Sequence, residues 1–175
     1  MMIQVALVRN EMLCRGAVVR GKLFHTSKIL FGPAMNDVYI LESKVANYPR
    51  VILEESIINT GALAHAKHHG EEFERESILK LLSRDGDGLY YIDYLTKAQN
   101  EIDEPLEAYP GYVSLLRKII ARGLKNADPS VRAKYFWMKE KFSPHLAVLK
   151  AWGEATPADN EYYSGPQFPD NNLRW

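Results

Sequence analysis

The chain has 175 residues, of which 46% are hydrophobic and 25% charged, enough for one domain with a core and at most a small appendage. Its 22 basic and 22 acidic residues cancel, which excludes a general electrostatic footprint for nucleic acid or anionic membranes but leaves room for a local basic patch. The apolar runs are shorter than a membrane span, the N-terminus lacks the pattern of a secretory leader, and the single cysteine, Cys14, cannot form an internal disulfide. These features predict a cytoplasmic protein.

The first third of the chain alternates between helical and extended patterns. Residues 2–12 have a helical pattern that starts without a cap, either as the end of a helix whose start is missing or as a frayed terminal helix. Apolar extended runs predict strands at residues 13–19, 22–25 and 50–53, and a further short extended piece at 29–31. Between the last two strands, Pro33 at a first helical position and an apolar stripe through Ala34, Val38, Leu41 and Val45 predict a helix. The sequence therefore predicts strand, strand, helix and strand within about forty residues.

Helical patterns dominate the remainder. Residues 54–67 predict a helix interrupted near Gly61, residues 71–84 a second helix, 85–88 a turn and 89–95 a strand rich in tyrosine and isoleucine. A polar, proline-containing linker is predicted at 99–110. Two further helices follow, one with an apolar stripe from Tyr112 to Leu124 and one that starts at Asp128 and Pro129. Val131, Tyr135, Met138 and Phe142 are predicted as the buried face of the last helix. Residues 156–175 lack periodicity and predict an irregular tail.

Three features resemble metal or nucleophile sites, and each has a simpler explanation. The sequence DGDG at 85–88 resembles the start of a calcium loop, but Leu89 and Thr96 occupy positions where oxygen ligands are required, so a plain turn is favoured. His65 and His69, with His68 between them, have helical i, i+4 spacing but no third ligand, which favours a solvated helix end. Cys14 lies in an apolar strand pattern, which favours inert packing. The sequence thus predicts no metal site.

The segment KYFWMK at 134–139 mixes basic and aromatic residues, as a platform for single-stranded nucleic acid would. Tyr135 and Met138 also fit the apolar stripe of the predicted helix, so core packing is the favoured interpretation. The sequence contains no phosphate-binding P-loop, no dinucleotide-binding glycine fingerprint and no nucleophile elbow.

Residues 13–58 carry the one family resemblance in the sequence. Arg15-Gly16-Ala17-Val18-Val19-Arg20-Gly21 is followed by Phe31-Gly32, then by Asn36 and Glu42 on the predicted helix, and then by a strand. This order and spacing resemble the second half of a class III nucleotide cyclase homology domain. The segments YPR at 48–50, DGLYYIDYL at 87–95 and KYFW at 134–137 are similar to elements of bacterial cyclase-like proteins, some relatives of which make cyclic pyrimidine nucleotides in anti-phage signalling.

The resemblance implies a fold and a set of site residues. The implied fold is α+β, a partial ferredoxin-like or cyclase-type sheet packed with helices and followed by a helical C-terminal region. Its organisation is a core at 1–100, a helical region of the same domain at 101–155 and the tail at 156–175. By resemblance only, Asn36 is the catalytic residue, the one that orients ribose. The candidate nucleotide-binding residues are Asn36, Arg15, Arg20 and Lys44.

A class III cyclase works as a dimer in which two aspartates of one half hold two divalent ions, and an asparagine and an arginine of the other half act on the nucleotide. This chain lacks the half with the metal aspartates, has Ile40 at the position of the arginine and has Ile29 at the base-reading position. The resemblance therefore implies no cofactor for the chain alone, and Mg²⁺ or Mn²⁺ only where another chain completes the site.

Three functions follow as hypotheses. The first is a non-catalytic, cyclase-like module, a pseudoenzyme that binds a nucleotide or a partner in bacterial nucleotide signalling. The second is a truncated or complementing subunit of an active cyclase, possibly one for pyrimidine nucleotides, and the third is a structural dimerisation module. Half a cyclase sheet leaves an unpaired edge and an apolar face, so we expect a homodimer or cyclase-like partner chain, or a C-terminal half that folds over that face. A nucleoside triphosphate is the expected small ligand, without general nucleic-acid or membrane binding.

Overall fold

The computed structural model describes residues 1–155, and they form an α+β fold, as predicted. The α-helices are α1 (Met2–Arg9), α2 (Pro33–Ile40), α3 (Glu55–Leu63), α4 (Glu71–Leu79), α5 (Pro105–Gly123) and α6 (Pro129–Ala155). The strands are β1 (Gly16–Val18), β2 (Phe24–His25), β3 (Leu30–Phe31), β4 (Val51–Leu53), β5 (Leu82–Arg84) and β6 (Tyr90–Ile92). A π-helical segment, Leu41–Val45, follows α2, and a 3₁₀ helix, Ala98–Asn100, precedes α5.

The chain divides into two compact units. The sheet unit is Cys14–Asp93, and the helical unit joins Met1–Leu13 to the chain from Tyr94 onward. The predicted core was a continuous segment, residues 1–100. In the structure the first helix groups with the later helices, and the sheet unit lies between these two parts of the chain.

The sheet unit is built on a mixed four-stranded sheet with the order β1-β4-β6-β5. β1 and β4 are parallel, with Gly16 opposite Val51 and Val18 opposite Leu53. β4 pairs with β6, and β6 with β5, in the antiparallel sense. β2 and β3 form a separate antiparallel hairpin in which Phe24 lies opposite Phe31. The hairpin and α2 therefore belong to the crossover that joins two neighbouring parallel strands, as parallel pairing requires.

The core of the sheet unit lies between the sheet and the pair α3 and α4. Its centre consists of Leu53, Ile58 and Leu82, which are at most 7% exposed. The partly buried side chains that pack against this centre are Ile57, Ile78, Leu79, Tyr90 and Ile92. Because β4, β5, β6, α3 and α4 all contribute, this cluster holds the ends of the strands in place.

The helical unit contains α1, α5 and α6. The predicted apolar stripe of α5 is mostly buried, with Tyr112, Leu116, Ile119 and Ile120 at most 3% exposed. On α6, Met138 and Phe142 are fully buried, whereas Val131 and Tyr135 of the same predicted face are partly exposed. Trp137 is buried and Phe136 is 56% exposed, so the aromatic segment at 134–139 contributes mainly to packing.

Three sequence-based predictions are wrong. The helix predicted over 71–84 ends at Leu79, because Leu82 and Arg84 pair with β6 as strand β5. The predicted linker at 99–110 instead contains the 3₁₀ helix and the start of α5, where Pro105 occupies the first helical turn without loss of a hydrogen bond. The three histidines do not share a helix.

The last of these corrections follows from the end of α3. That helix stops at Leu63, and residues 65–69 lie in turns and irregular backbone, so His65 and His69 lose the helical spacing that made them candidate ligands. The predicted tail at 156–175 lies outside the described residues. Within residues 1–155, no helix is both long enough and apolar enough to cross a membrane.

Candidate functional site

The sheet unit has a polar cleft at the carboxyl ends of its two parallel strands. β1 ends at Val18 and is followed by Val19 and Arg20, and β4 ends at Leu53 and is followed by Glu54, directly before α3. In sheets with parallel strands, ligands bind in the crevice outside the carboxyl ends of those strands. The topology thus selects this edge as the first place to look for a binding site.

The cleft has a volume of about 350 Å³. Its lining comes from β1 and the loop after it, from α2 and its π-helical continuation, and from the first turns of α3. The residues are Val18, Val19, Arg20, Asp37, Leu41, Glu54, Ser56, Ile57 and Thr60. The lining therefore combines four apolar side chains with one guanidinium, two carboxylates and two hydroxyls.

The polar groups of the cleft are loosely connected. Arg20 Nη1 donates a long hydrogen bond of 3.4 Å to Thr60 Oγ1, and Thr60 Oγ1 donates to the Ser56 carbonyl at 2.9 Å. Ser56 Oγ donates to Glu54 Oε2 at 3.5 Å. Arg20, Asp37 and Glu54 are all exposed, so each retains hydrogen-bonding capacity toward a ligand.

The structure separates the four predicted nucleotide-binding residues. Arg20 lines the cleft. Arg15 pairs with Glu42 instead, with Nε 2.7 Å from Oε1. Asn36 and Lys44 are exposed and are not among the lining residues. Ile40, at the position where the resemblance requires an arginine, is 47% exposed and brings no charge.

Sequence reasoning missed Asp37, Glu54, Ser56 and Thr60. A signal existed for Glu54, because it is the first polar residue after a predicted strand. Asp37 lies next to Asn36, which the resemblance singled out, but its helix face was not assigned. Nothing in the sequence indicates that Ser56 and Thr60 face the same cleft.

Within residues 1–155, the donor side chains do not form a site for the divalent ions that the resemblance implies. Among residues 1–155 no group of three or more histidine, cysteine or carboxylate side chains lies close enough to hold an ion. The cleft offers two carboxylates with a guanidinium beside them, and His69 Nδ1 lies 2.6 Å from Glu74 Oε1, away from the cleft lining.

The DGDG turn that resembles a calcium loop holds an arginine. Arg50 is 2% exposed, and its Nη1 lies 2.5 Å from Asp85 Oδ2 while its Nη2 pairs with Asp87 Oδ2. The guanidinium also lies 5.5 Å from the ring centre of Tyr48. The two carboxylates thus bind the residue that precedes β4, and they fix the β5–β6 turn to the start of that strand.

Next to this ion-pair cluster, Ser83 Oγ donates to Asp93 Oδ2 at 2.7 Å. Tyr91, in the middle of β6, is 2% exposed. Its burial, followed by the negative charges of Asp93 and Asp85, raises the pKa of the Tyr91 hydroxyl above its ordinary value. The hydroxyl therefore stays protonated, which suits a structural group in the sheet.

The helical unit contains a separate, mostly apolar cavity of about 440 Å³ between the start of α5 and α6. Tyr109 and His145 are its main polar groups, and Tyr109 Oη lies 2.6 Å from His145 Nε2. Leu106 and Val148 at its mouth are 54% and 64% exposed. The tyrosine and the histidine satisfy each other, so this cavity offers less polar recognition than the cleft.

Comparison of the chain with models of protein families, with curated proteins and with solved structures returns no match. The likeness to nucleotide cyclases thus stands on the residues at 13–58 and on the two later segments, 87–95 and 134–137, alone.

Proposed function

We propose that this chain is a non-catalytic, cyclase-like module that binds a nucleotide in the cleft of its sheet unit. The observation that carries the proposal is the position of Arg20, a cation at the carboxyl ends of two neighbouring parallel strands. The family resemblance supports the ligand class, and it also supports a place in bacterial nucleotide signalling in the cytoplasm.

The chemistry of the cleft suits the parts of a nucleotide. The Arg20 guanidinium can bind a phosphate, and the hydroxyl of Thr60, with which it shares a long hydrogen bond, lines the same cleft. The Asp37 and Glu54 carboxylates accept hydrogen bonds from ribose hydroxyls, as acidic residues do in dinucleotide-binding folds. Val19, Leu41 and Ile57 offer apolar surface for the base.

The charge balance of the cleft disfavours a nucleotide with several phosphates. One guanidinium faces two carboxylates, so the side chains sum to one negative charge. A triphosphate would bring three or more further negative charges without a compensating cation. We therefore expect nucleoside monophosphates to bind more tightly than the corresponding triphosphates, which departs from the sequence-based expectation of a triphosphate.

The apolar residue at the position of the charge-stabilising arginine supports a binding role without turnover. The α2 position that would carry the arginine is Ile40, and the nearby Arg15 is neutralised by Glu42. Phosphoryl transfer depends on positioned positive charge at the phosphorus. A second copy or a cyclase-like partner chain could supply such groups, which is the complementing-subunit hypothesis.

Isothermal titration calorimetry of the chain with the four ribonucleoside monophosphates tests the proposal. We expect binding of at least one of them, and at least a tenfold loss of affinity in Arg20→Ala. Arg15→Ala is the matched control, because it removes the same charge from the same unit at a side chain outside the cleft lining. Equal losses in the two variants, or no binding of any nucleotide, would refute the site.

Turnover is tested by incubating the chain with Mn²⁺ and each of the four nucleoside triphosphates and separating the products. We expect no cyclic nucleotide. Cyclic product that disappears in Arg20→Ala would replace the non-catalytic proposal by the active-enzyme hypothesis.

Partner binding is the second candidate function, and a specific observation favours it. Residues 18–40 contain nine of the 17 large hydrophobic side chains that are exposed within the described part of the chain. They are Val18, Leu23, Phe24, Ile29, Leu30, Phe31, Met35, Tyr39 and Ile40. Exposed apolar surface concentrated in this way is typical of interaction sites, and the sequence-based expectation of a homodimer or a cyclase-like partner belongs to this candidate.

A further inference from the structure

A second concave surface of the sheet unit lies beside the polar cleft. This edge groove has a volume of about 530 Å³ and is lined by β1, the β2–β3 hairpin and α2. Its residues are Ala17, Val18, Val19, Arg20, Gly21, Leu23, Leu30, Ala34, Met35 and Val38. Only Arg20 among them is charged, so the groove itself is apolar.

One wall of the edge groove is the outer strand of the sheet. β1 is the first strand in the order β1-β4-β6-β5, and β4 is the only described strand that pairs with it. Gly16 N–H donates to the Arg50 carbonyl next to β4. Alternation along a strand then directs the N–H and C=O of Ala17 to the side away from β4. An edge of this kind is a template for one further strand.

The segment from β1 through the hairpin to the first turn of α2 carries only basic charges, whereas the exposed carboxylates Asp37 and Glu54 lie at the neighbouring polar cleft. Residues 16–36 contain Arg20, Lys22 and Lys28 and no aspartate or glutamate. All three cations are exposed. This basic patch is local, because the chain as a whole has no net charge.

We propose that the edge groove binds an extended, acidic segment of another protein, which adds a strand to β1 and places apolar side chains in the groove. Strand addition supplies backbone hydrogen bonds, the groove accepts alternate side chains, and the three cations select acidic flanks. This inference does not rest on the proposed nucleotide binding, although Arg20 lines both the edge groove and the polar cleft.

The same observations disfavour the other occupants. Two copies related by a two-fold axis would bring identical basic patches together, which costs free energy. A lipid surface is flat and offers no partner for the outward backbone groups of β1, whereas the groove is concave.

Fluorescence anisotropy with three synthetic peptides tests the proposal on the full chain. The first peptide alternates valine and leucine with glutamate over ten residues, and the second has lysine in place of each glutamate. The third is the glutamate peptide with N-methyl groups at alternate backbone positions. We expect the glutamate peptide to bind at least tenfold more tightly than either of the others. Because the changes are in the peptide, the fold of the protein is constant across the comparison.

Charge-reversed variants locate the binding site. Lys22→Glu combined with Lys28→Glu should lower the affinity for the glutamate peptide about tenfold and raise that for the lysine peptide. Lys67→Glu combined with Lys125→Glu is the matched control, because these exposed lysines lie outside the groove. Hydrogen exchange at the Ala17 amide should slow when the glutamate peptide binds.

Four results would overturn the inference. The first two concern the peptides: the glutamate peptide fails to bind at millimolar concentration, or it binds with the same affinity as the lysine peptide. The other two concern different occupants: the chain forms a dimer that the glutamate peptide does not dissociate, or it co-sediments with phosphatidylserine vesicles and does not bind the peptide.

Discussion

Replacing Arg50 with methionine should destabilise the sheet unit by about 3–4 kcal/mol. Removing one partner of a buried ion pair costs about 3–5 kcal/mol, because the remaining charge stays desolvated. Asp85 is in that situation, since only 9% of its side chain is exposed. Asp87 is 38% exposed and can regain water, so its share is discounted to the 0–1 kcal/mol of a surface pair. The expected loss is a large part of the roughly 5–15 kcal/mol that stabilises a typical domain.

The assay has to report on the sheet unit. All three tryptophans, Trp137, Trp152 and Trp175, lie outside Cys14–Asp93, so tryptophan fluorescence would follow the other part of the chain. Native-state hydrogen exchange, measured by mass spectrometry on fragments covering β4 to β6, gives the opening free energy of the sheet itself.

Two comparisons decide whether the reasoning about Arg50 is right. Arg15→Met removes an arginine from an ion pair that is 39% and 35% exposed, and it should cost at most about 1 kcal/mol. Asp85→Asn should recover part of the loss when combined with Arg50→Met, because the remaining buried group is then neutral. If Arg50→Met costs no more than Arg15→Met, or if Asp85→Asn gives no recovery, the buried charge is not what the arginine stabilises.

Three further predictions concern single groups. Tyr91 has a raised pKa, so its contribution to stability is complete below the unfolded pKa of about 10 and is lost as the pH rises from there through the folded pKa. In a pH series of melting temperatures, Tyr91→Phe should reduce this loss at alkaline pH, and Tyr39→Phe should leave it unchanged. The Ser130 backbone N–H donates to Asp128 and lowers the pKa of that carboxyl, so α6 should lose stability as the pH falls through the folded pKa. Circular dichroism should detect this loss of helix at acid pH in the unaltered chain and not in Asp128→Asn. Gly32→Ala should cost about 1–3 kcal/mol in urea unfolding, because Gly32 has φ 148° and an added Cβ would lie 2.6 Å from the Lys22 carbonyl oxygen, whereas Gly111→Ala in the exposed interior of α5 should gain about 0.5–1 kcal/mol.

Local pattern predicted the parts of the fold that depend on local energetics. Pro33 at the start of α2, Asp128 at the start of α6 and the glycines of the 85–88 turn each act through the residues next to them. The α+β class follows from the same signals, because apolar residues recur with a different period in strands than in helices.

The wrong elements are those in which distant pairing or position overrides the pattern. A helical period fits Ile78, Leu81 and Leu82. In the structure, however, Leu82 pairs with Ile92 in the sheet, and hydrogen bonds between the strands end the helix at Leu79. The prediction of a proline-containing linker was wrong for another reason, because Pro105 is tolerated in the first turn of a helix.

The candidate site was predictable only in part for a related reason. Arg20 and Glu54 follow strands, so their edge of the sheet can be read from the sequence. Thr60 enters the cleft because α3 packs with one particular face on the sheet, which depends on contacts between elements. Likewise, the partner of Arg50 lies 35 residues away at Asp85, a distance that no local pattern encodes.

Val18, Val19 and Arg20 line both the polar cleft and the edge groove, and this has a consequence for any ligands of the two sites. Both proposed ligands are anionic, and Arg20 is the one cation in the lining of either cavity. One guanidinium cannot fully neutralise a phosphate and a glutamate at once, so each ligand should weaken the other. We expect a saturating nucleoside monophosphate to lower the affinity for the glutamate peptide about five- to tenfold, and the peptide to lower the nucleotide affinity by the same factor, because coupling free energies are reciprocal. In Arg20→Gln both affinities should fall and the coupling should disappear. Calorimetry that finds the two ligands binding independently to the unaltered chain would mean that Arg20 serves only one of the two sites.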